Sequence, residues 1–333
     1  MPDKSAYTIE NIAISLLGGL AAAVIFVVVS RGGVGGLVFA HLAPLPIMII
    51  ALGYGVRHGA SAALLATAIL SVYPHPVVGM AYSLMVAGPA WLATYAASGA
   101  PRGKRDLISA NYPGWAAFAP AAFITLVVSL WLVVASVSFG SLDEALNPIR
   151  ARAFIILDEM IKSNNSLEGK FDPVALSGSV AMAIPAFVAS YVTMIHLVNL
   201  WIAARLTQAS GLMTTPMPDI AEGYRLPKAT GGVFLSGLAL CLFSGPSAAI
   251  GYALVSVMGL ILSFQGLAVA HSRLRARPNG MILLAIIYFL VGLLGWPLVL
   301  FSFIGLADLV FDFRHRKPQG LPDPSDNVRP KTD

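Results

Sequence analysis

The chain has 333 residues, of which 57% are hydrophobic and 11% are charged, whereas soluble domains carry about 25% charged residues. Its mean hydropathy is +0.78 and its formal net charge is +5. The hydrophobic residues form repeated runs of about 20 residues, which predict a polytopic helical membrane protein and exclude an ordinary soluble domain. The positive charge does not indicate nucleic-acid binding, because the basic residues cluster beside the hydrophobic runs.

The predicted membrane helices follow one another along the chain with mostly short connections. We expect the first at residues 12–30, as a membrane helix rather than a cleaved signal peptide. The second run, 37–55, is interrupted at 43–46 by Ala-Pro-Leu-Pro, just after His41, and these prolines free backbone carbonyl groups. The following runs are residues 59–73, 77–97, 115–139, 174–206, 229–243 and 248–270.

Residues 140–176 form one long extramembrane segment. Asn147 and Pro148 predict a helix N-cap followed by proline at the first helical position. Apolar residues then recur at helical spacing, namely Ile149, Ala153, Ile156 and Met160. The segment therefore predicts an amphipathic helix that lies on the membrane surface or on the bundle.

The last hydrophobic stretch covers residues 281–313. As a single helix it would measure about 50 Å, against a hydrocarbon core of about 30 Å. Gly295, Trp296 and Pro297 lie at its centre, where proline interrupts the helical hydrogen bonds. The pattern predicts a tight hairpin of two short helices. The alternative is one tilted helix, which would put the basic C-terminal end outside the cell.

The sequence thus predicts an all-α bundle of about eight to ten spans over residues 1–313, followed by a disordered cytoplasmic tail at 314–333. Lysine and arginine set the orientation, because cytoplasmic loops are enriched in them. With both termini cytoplasmic, residues 140–176 lie on the opposite side. The basic residues that mark the cytoplasmic side are Arg57, Arg102, Lys104, Arg105, Arg273, Arg275, Arg277, Arg314, Arg316 and Lys317.

Polar side chains inside the predicted spans are the candidates for function. His196 and Asn199 are three residues apart, and Thr193 lies three residues before His196, so all three share one helix face. Such a stripe could line a binding cavity, or it could hydrogen-bond between helices inside the bundle.

Two further candidates lie outside this stripe. His41 precedes Pro44 and Pro46, and broken helices of this kind mark ligand sites in transporters; the alternative is a proline kink with a structural histidine. Asp308 could bind a proton, a cation or a substrate amine. Alternatively, Asp308 pairs with a basic residue near the cytoplasmic boundary.

Motifs that would indicate enzymatic chemistry are missing from the sequence. It contains no Walker A, HExxH or GxSxG pattern and no CxxC pair. The single cysteine, Cys241, lies in an apolar run, and the histidines have no metal-ligand spacing. We therefore expect no cofactor, no metal and no enzymatic activity.

Two stretches resemble a known family. Residues 43–46 are followed by Gly53, Arg57 and Gly59, and the last hydrophobic stretch ends in residues 305–308, Gly-Leu-Ala-Asp, and 311–314, Phe-Asp-Phe-Arg. Both resemble the YybS-like bacterial membrane proteins, a family of predicted function only. That family is distantly similar to the substrate-binding S components of energy-coupling-factor vitamin transporters.

The resemblance implies a location in the bacterial inner (cytoplasmic) membrane. In S components a small-xxx-small face on the first helix docks a transmembrane coupling subunit, and Gly19 and Ala23 have that spacing. We accordingly expect a transport-type protein, in contact with the lipid bilayer and with a membrane partner or coupling subunit, that binds a small molecule or ion. The alternative is a non-transporting scaffold or assembly factor that acts through its surface helix and helix–helix contacts.

Overall fold

The computed structural model describes residues 9–29, 39, 41–98, 112–164, 167, 169–213 and 219–314. Within these ranges all regular structure is helical, which confirms the predicted all-α class. The helices are α1 Ile9–Val29, α2 Leu45–Tyr54, α3 Val56–Val72, α4 Pro76–Ala97, α5 Tyr112–Ser138, α6 Leu142–Lys162, α7 Pro173–Ala209, α8 Ile220–Gly223, α9 Ala229–Leu240, α10 Pro246–Leu274, α11 Gly280–Leu294 and α12 Pro297–Phe311.

Apolar helices account for the predicted spans. By length and composition α1, α4, α5, α7 and α10 can each cross a membrane, whereas α2, α3, α9, α11 and α12 are apolar but have only 10–17 residues. At 1.5 Å per residue, α2 is about 15 Å long, half of a hydrocarbon core of about 30 Å. The number of helices that cross the bilayer therefore stays a prediction.

The buried residues form two clusters that share α7. One cluster joins α1, α2, α3 and α4, and includes Ala203 of α7. The other joins α5, α6, α9 and α10, and includes Ala181 and Ala189 of α7. Many members of both clusters are alanines, which allow helix backbones to approach closely. Helix α7 therefore connects the two halves of the bundle.

The small-residue face of α1 packs inside the bundle. Ala23 is 1% exposed, and a Cβ atom on Gly19 would lie 2.7 Å from the backbone oxygen of Ala62 in α3. Close packing of this kind is a common use of small residues in membrane helices. Helix α3 already covers this face of α1. The face is therefore not free to dock a coupling subunit in the way that the resemblance to S components implies.

The last hydrophobic stretch is divided into α11 and α12, as predicted, at Gly295, which has a φ of 69° that glycine tolerates. Helix α12 packs along α10, while it makes few contacts with α11. The α10–α12 crossing is close because Gly266 and Gly305 face each other. A Cβ atom on either glycine would lie 2.0 Å from a backbone oxygen of the other helix.

Helix α6 begins earlier than predicted. Its N-cap is Ser141, whose Oγ accepts a hydrogen bond from the backbone nitrogen of Glu144 at 3.1 Å. The predicted N-cap at Asn147 is therefore wrong, and Pro148 lies inside the helix. Asp143 and Glu144 stabilise the earlier start, because acidic side chains in the first turn interact favourably with the helix dipole.

Helix α6 is amphipathic, as predicted. Leu142, Leu146 and Ile161 are buried in the structure, and Ile149 packs against the same core. Ile156 and Met160, which belong to the predicted apolar face, are 53% and 55% exposed. Whether this part of the face lies on the membrane surface stays a prediction.

Basic residues and short loops meet at one end of the bundle. The backbone oxygen of Phe313 accepts a hydrogen bond from Arg273 at 2.8 Å, and Arg275 forms ion pairs with Asp219 and Glu222. The hydrogen bond from Arg275 lowers the pKa of Asp219 below its usual value. Of the other residues used to predict the orientation, those outside the described ranges are Arg102, Lys104, Arg105, Arg316 and Lys317, together with the tail from residue 315 onward.

Candidate functional site at a broken helix

The polar stripe predicted on α7 is buried. Thr193, His196 and Asn199 are 0%, 1% and 2% exposed. Thr193 uses its hydroxyl inside its own helix, donating to the backbone oxygen of Ala189 at 2.8 Å. The other two side chains reach neighbouring elements. His196 and Asn199 are therefore the members of the stripe that contact other elements.

His196 lies between two backbone oxygens. Its Nδ1 is 2.8 Å from the oxygen of Val192 in α7, and its Nε2 is 3.1 Å from the oxygen of Val86 in α4. Both oxygens are acceptors, and a neutral imidazole carries a single N–H, so it donates to one of them at a time. The ring thus has two alternative hydrogen bonds, one within α7 and one between α7 and α4.

The acceptor in α4 belongs to a π-helical turn at Ser83–Ala87. Single π turns inside α-helices are rare and occur frequently at functional sites, since they alter the regular backbone hydrogen bonding. No pattern in the sequence indicated this turn. The carbonyl group of Val86 is therefore a member of the site that sequence reasoning missed.

Asn199 connects α7 to the interrupted second span. Its Nδ2 donates to the backbone oxygen of His41 at 2.6 Å and to that of Ile195 at 2.8 Å. Its Oδ1 is buried and has no hydrogen-bond partner among the residues that the structure describes. A buried acceptor left unpaired costs about 1–3 kcal/mol. The amide oxygen is thus a buried acceptor that no group in the described part of the chain satisfies.

The break in the second span lies beside this amide. Residues 41–44 form turns and α2 begins at Leu45. Pro44 and Pro46 have no backbone N–H, so neither can donate a hydrogen bond in the first turn. The imidazole of His41 hydrogen-bonds to the hydroxyl of Tyr191. His41, at the start of the break, is therefore bound to α7 through both its side chain and its backbone oxygen.

We call this cluster the polar break; its residues are His41, Pro44, Pro46, Tyr191, Thr193, His196 and Asn199. It includes six of the seven residues predicted as a binding site and adds Tyr191; the contacts that join the α7 stripe to the break are those of Tyr191 and Asn199 with His41. That these residues bind a ligand stays a prediction. What the cluster can offer a ligand is the buried acceptor Oδ1 of Asn199.

Asp308 does not join the polar break. Its Oδ2 accepts hydrogen bonds from Gln265 at 2.8 Å and from Arg314 at 2.9 Å, and its Oδ1 accepts one from the backbone nitrogen of Phe313 at 3.1 Å. The Asp308 and Arg314 side chains are each 1% exposed. This is the pairing with a basic residue that the alternative interpretation of Asp308 expected.

The Asp308–Arg314 pair also holds the segment 219–226 in place. Arg314 donates to the backbone oxygens of Ala221 and Tyr224, both at 2.8 Å. The Oε1 atom of Gln265 accepts a hydrogen bond from the backbone nitrogen of Leu226 at 2.9 Å. The network therefore ties together α10, the end of α12 and the segment 219–226.

Two cavities lie away from the polar break, on either side of α6, with volumes of about 820 and 480 Å³. None of the predicted site residues lines them. In the described part of the chain, no three His, Cys, Asp or Glu side chains are placed to hold a metal ion.

A bundle of apolar helices with a buried polar break defines a polytopic helical membrane protein. The chain belongs to the family described as "Predicted membrane protein (DUF2232)", whose sequence model matches residues 20–309. The matched range includes the broken segment, the α7 stripe and Asp308. No curated protein and no solved structure matches the chain.

Proposed function

We propose that this protein is a transport-type membrane protein that binds a small polar molecule or an ion at the polar break. It is a binding protein rather than an enzyme. Within this proposal it lies in the bacterial inner membrane with both termini in the cytoplasm. It is related to the YybS-like proteins and binds its ligand in an S-component-like helix bundle.

The observation that carries the proposal is the buried Oδ1 of Asn199, which has no partner in the described part of the chain. The same side chain uses its Nδ2 to fix the start of the broken segment at His41. A ligand that donates a hydrogen bond, or a cation, would satisfy the oxygen and remove its desolvation cost. Discontinuous helices provide binding sites of this form in secondary transporters.

His196 supplies a means of coupling binding to movement. In its Nε2–H tautomer the ring donates to Val86 and joins α7 to α4, whereas in its Nδ1–H tautomer it donates to Val192 within α7. The change of tautomer moves a proton from one ring nitrogen to the other, and two discrete arrangements of this kind are what a two-state transition requires. In this proposal the ligand selects between them through the neighbouring Asn199.

The proposal is tested by ligand-dependent thermal stability of the protein in lipid nanodiscs, against a panel of metabolites and cations. A ligand at 100 times its dissociation constant adds about 2.7 kcal/mol to stability. We expect at least one compound to stabilise the wild type but not Asn199→Leu. The matched control is Thr125→Val on α5, since Thr125 is equally buried and bonds only within its own helix.

Two results would reject a ligand site at the polar break. One is that no compound in the panel stabilises the wild type. The other is that the stabilising compound acts equally on Asn199→Leu and on Thr125→Val.

One observation favours the second candidate, a membrane scaffold. Ile155, Ile156 and Met160 of α6 are each at least 50% exposed, so the helix presents apolar surface outside the bundle core. In-cell crosslinking from α6 in the native host tests this candidate. The scaffold candidate is supported if the wild type yields a defined partner that is lost when the three residues are changed to serine. It is rejected if these substitutions leave the recovery of the partner unchanged.

A further inference from the structure

The larger cavity is a groove between α6, α7 and α10. Its volume is about 820 Å³, within the range of about 300–1,000 Å³ that is typical of ligand sites. Its walls are mainly apolar and include Val174, Met182, Ala186 and Val255, while Arg150 of α6 lies at its edge. The wall on α7 runs from residue 174 to residue 186, about 18 Å along the helix axis.

Arg150 has a donor that no described protein group uses. Its Nη2 donates to Oδ1 of Asp143 at 2.7 Å, but its Nε is buried and has no partner in the described part of the chain. The Arg150 side chain is nevertheless 35% exposed and carries five N–H donors, so beside its bond to Asp143 it keeps donors for an acceptor outside the protein. The planar guanidinium group is well suited to a phosphate.

Gly178 leaves the groove open along α7. A Cβ atom added there would have no neighbour within 4 Å, although Gly178 lines the groove. An elongated apolar space with a guanidinium group at its edge matches the shape and charge of a lipid. It does not match a compact polar solute, because most of its walls offer no hydrogen bonds.

We infer that this groove binds an anionic phospholipid of the surrounding bilayer. The lipid phosphate accepts hydrogen bonds from Arg150, and one acyl chain lies along α7 in the groove. Arg150 on a surface helix reaches the headgroup while the apolar walls bury the chain, which combines electrostatic attraction with hydrophobic burial. The site is separate from the polar break and does not depend on the proposed transport role.

The test is native mass spectrometry of the protein released from nanodiscs that contain equal amounts of phosphatidylglycerol and phosphatidylcholine. We expect the wild type to retain phosphatidylglycerol in preference. Arg150→Gln should reduce this retention about tenfold, which corresponds to one hydrogen bond between charged groups. Gly178→Leu should reduce the retention of both lipids, because its side chain enters the open groove without meeting protein atoms.

The matched control is Lys162→Gln. It removes the cation of another ion pair on α6, with Asp158 at 2.8 Å, away from the groove. Lys162→Gln and Asn199→Leu should both retain lipid as the wild type does. Any of three results would overturn the inference. One is equal retention of the two lipids by the wild type, the second is an equal loss of lipid in Arg150→Gln and Lys162→Gln, and the third is full retention of lipid by Gly178→Leu.

Discussion

The buried Asp308–Arg314 pair offers the clearest quantitative prediction. Both side chains are 1% exposed, and removal of one member of a buried ion pair costs about 3–5 kcal/mol, because the other charge is left uncompensated. In Asp308→Ala, Arg314 would keep its hydrogen bonds to the backbone oxygens of Ala221 and Tyr224. We therefore expect a loss of about 3 kcal/mol in the free energy of unfolding, at the lower end of this range.

A double substitution measures the interaction between the two side chains apart from the interactions of each with the surrounding protein. Arg314→Met alone leaves Asp308 with Gln265 and the backbone nitrogen of Phe313, and should cost a similar amount. Asp308→Leu with Arg314→Met removes both charges, and replacement of a buried pair by apolar residues is often neutral. The single variants of this cycle are Asp308→Leu, which should cost about as much as Asp308→Ala, and Arg314→Met. The coupling energy from the cycle should therefore be about 3 kcal/mol or more.

The assay is reversible unfolding in mixed micelles by titration with a denaturing detergent. Asp312→Asn is the matched control, because Asp312 pairs with Arg225 at 3.3 Å and is 52% exposed. Exposed pairs contribute about 0–1 kcal/mol, and asparagine tolerates the positive φ of 47° at this position. The reasoning is refuted if Asp308→Ala costs no more than Asp312→Asn, or if the double variant loses the sum of the two single losses.

Three further predictions concern the packing and the ends of helices. Gly305→Val should cost about 3 kcal/mol in the same unfolding assay, since the valine side chain overlaps the α10 backbone. In the control Gly292→Val the side chain meets open space, so stability should be unchanged. Equal losses of stability in the two variants would contradict the close crossing of α10 and α12. Ser141→Ala should cost about 1 kcal/mol and increase hydrogen exchange in the first turn of α6; unchanged exchange would place the helix start elsewhere. Arg275 lowers the pKa of Asp219 in the folded protein. The pair therefore stabilises the fold above the unfolded-state pKa of Asp219, and this stabilisation is lost as pH falls through the lower folded-state pKa. Hydrogen exchange of residues 219–226 should rise over that pH range in the wild type but not in Asp219→Asn.

The positions of the membrane helices could be predicted because they depend on local sequence. A run of apolar residues must satisfy its backbone groups internally in lipid, so it becomes a helix wherever proline permits. Pro44 and Pro46 accordingly mark the start of α2, and Pro297 marks the start of α12. The grouping of Thr193, His196 and Asn199 on one face follows from helical periodicity alone.

The remaining features depend on tertiary contacts. Ser141 and Asn147 are both competent N-caps, and the choice between them depends on the burial of Leu142 and Leu146, which the local pattern does not show. The hydrogen bond from Asn199 to His41 joins residues 158 positions apart. The π turn in α4 has no distinctive residue pattern, so its contact with His196 could be found only in the folded chain.

The central claim is that the polar break binds a ligand at the buried amide of Asn199. The most direct measurement is a cryo-EM map of the protein in lipid nanodiscs, prepared with a compound that stabilises the wild type. The account predicts non-protein density within hydrogen-bond distance of Asn199 Oδ1, at the first turn of α2, and its absence in Asn199→Leu. A map in which Oδ1 is hydrogen-bonded to a protein group, with the compound bound elsewhere, would contradict the account.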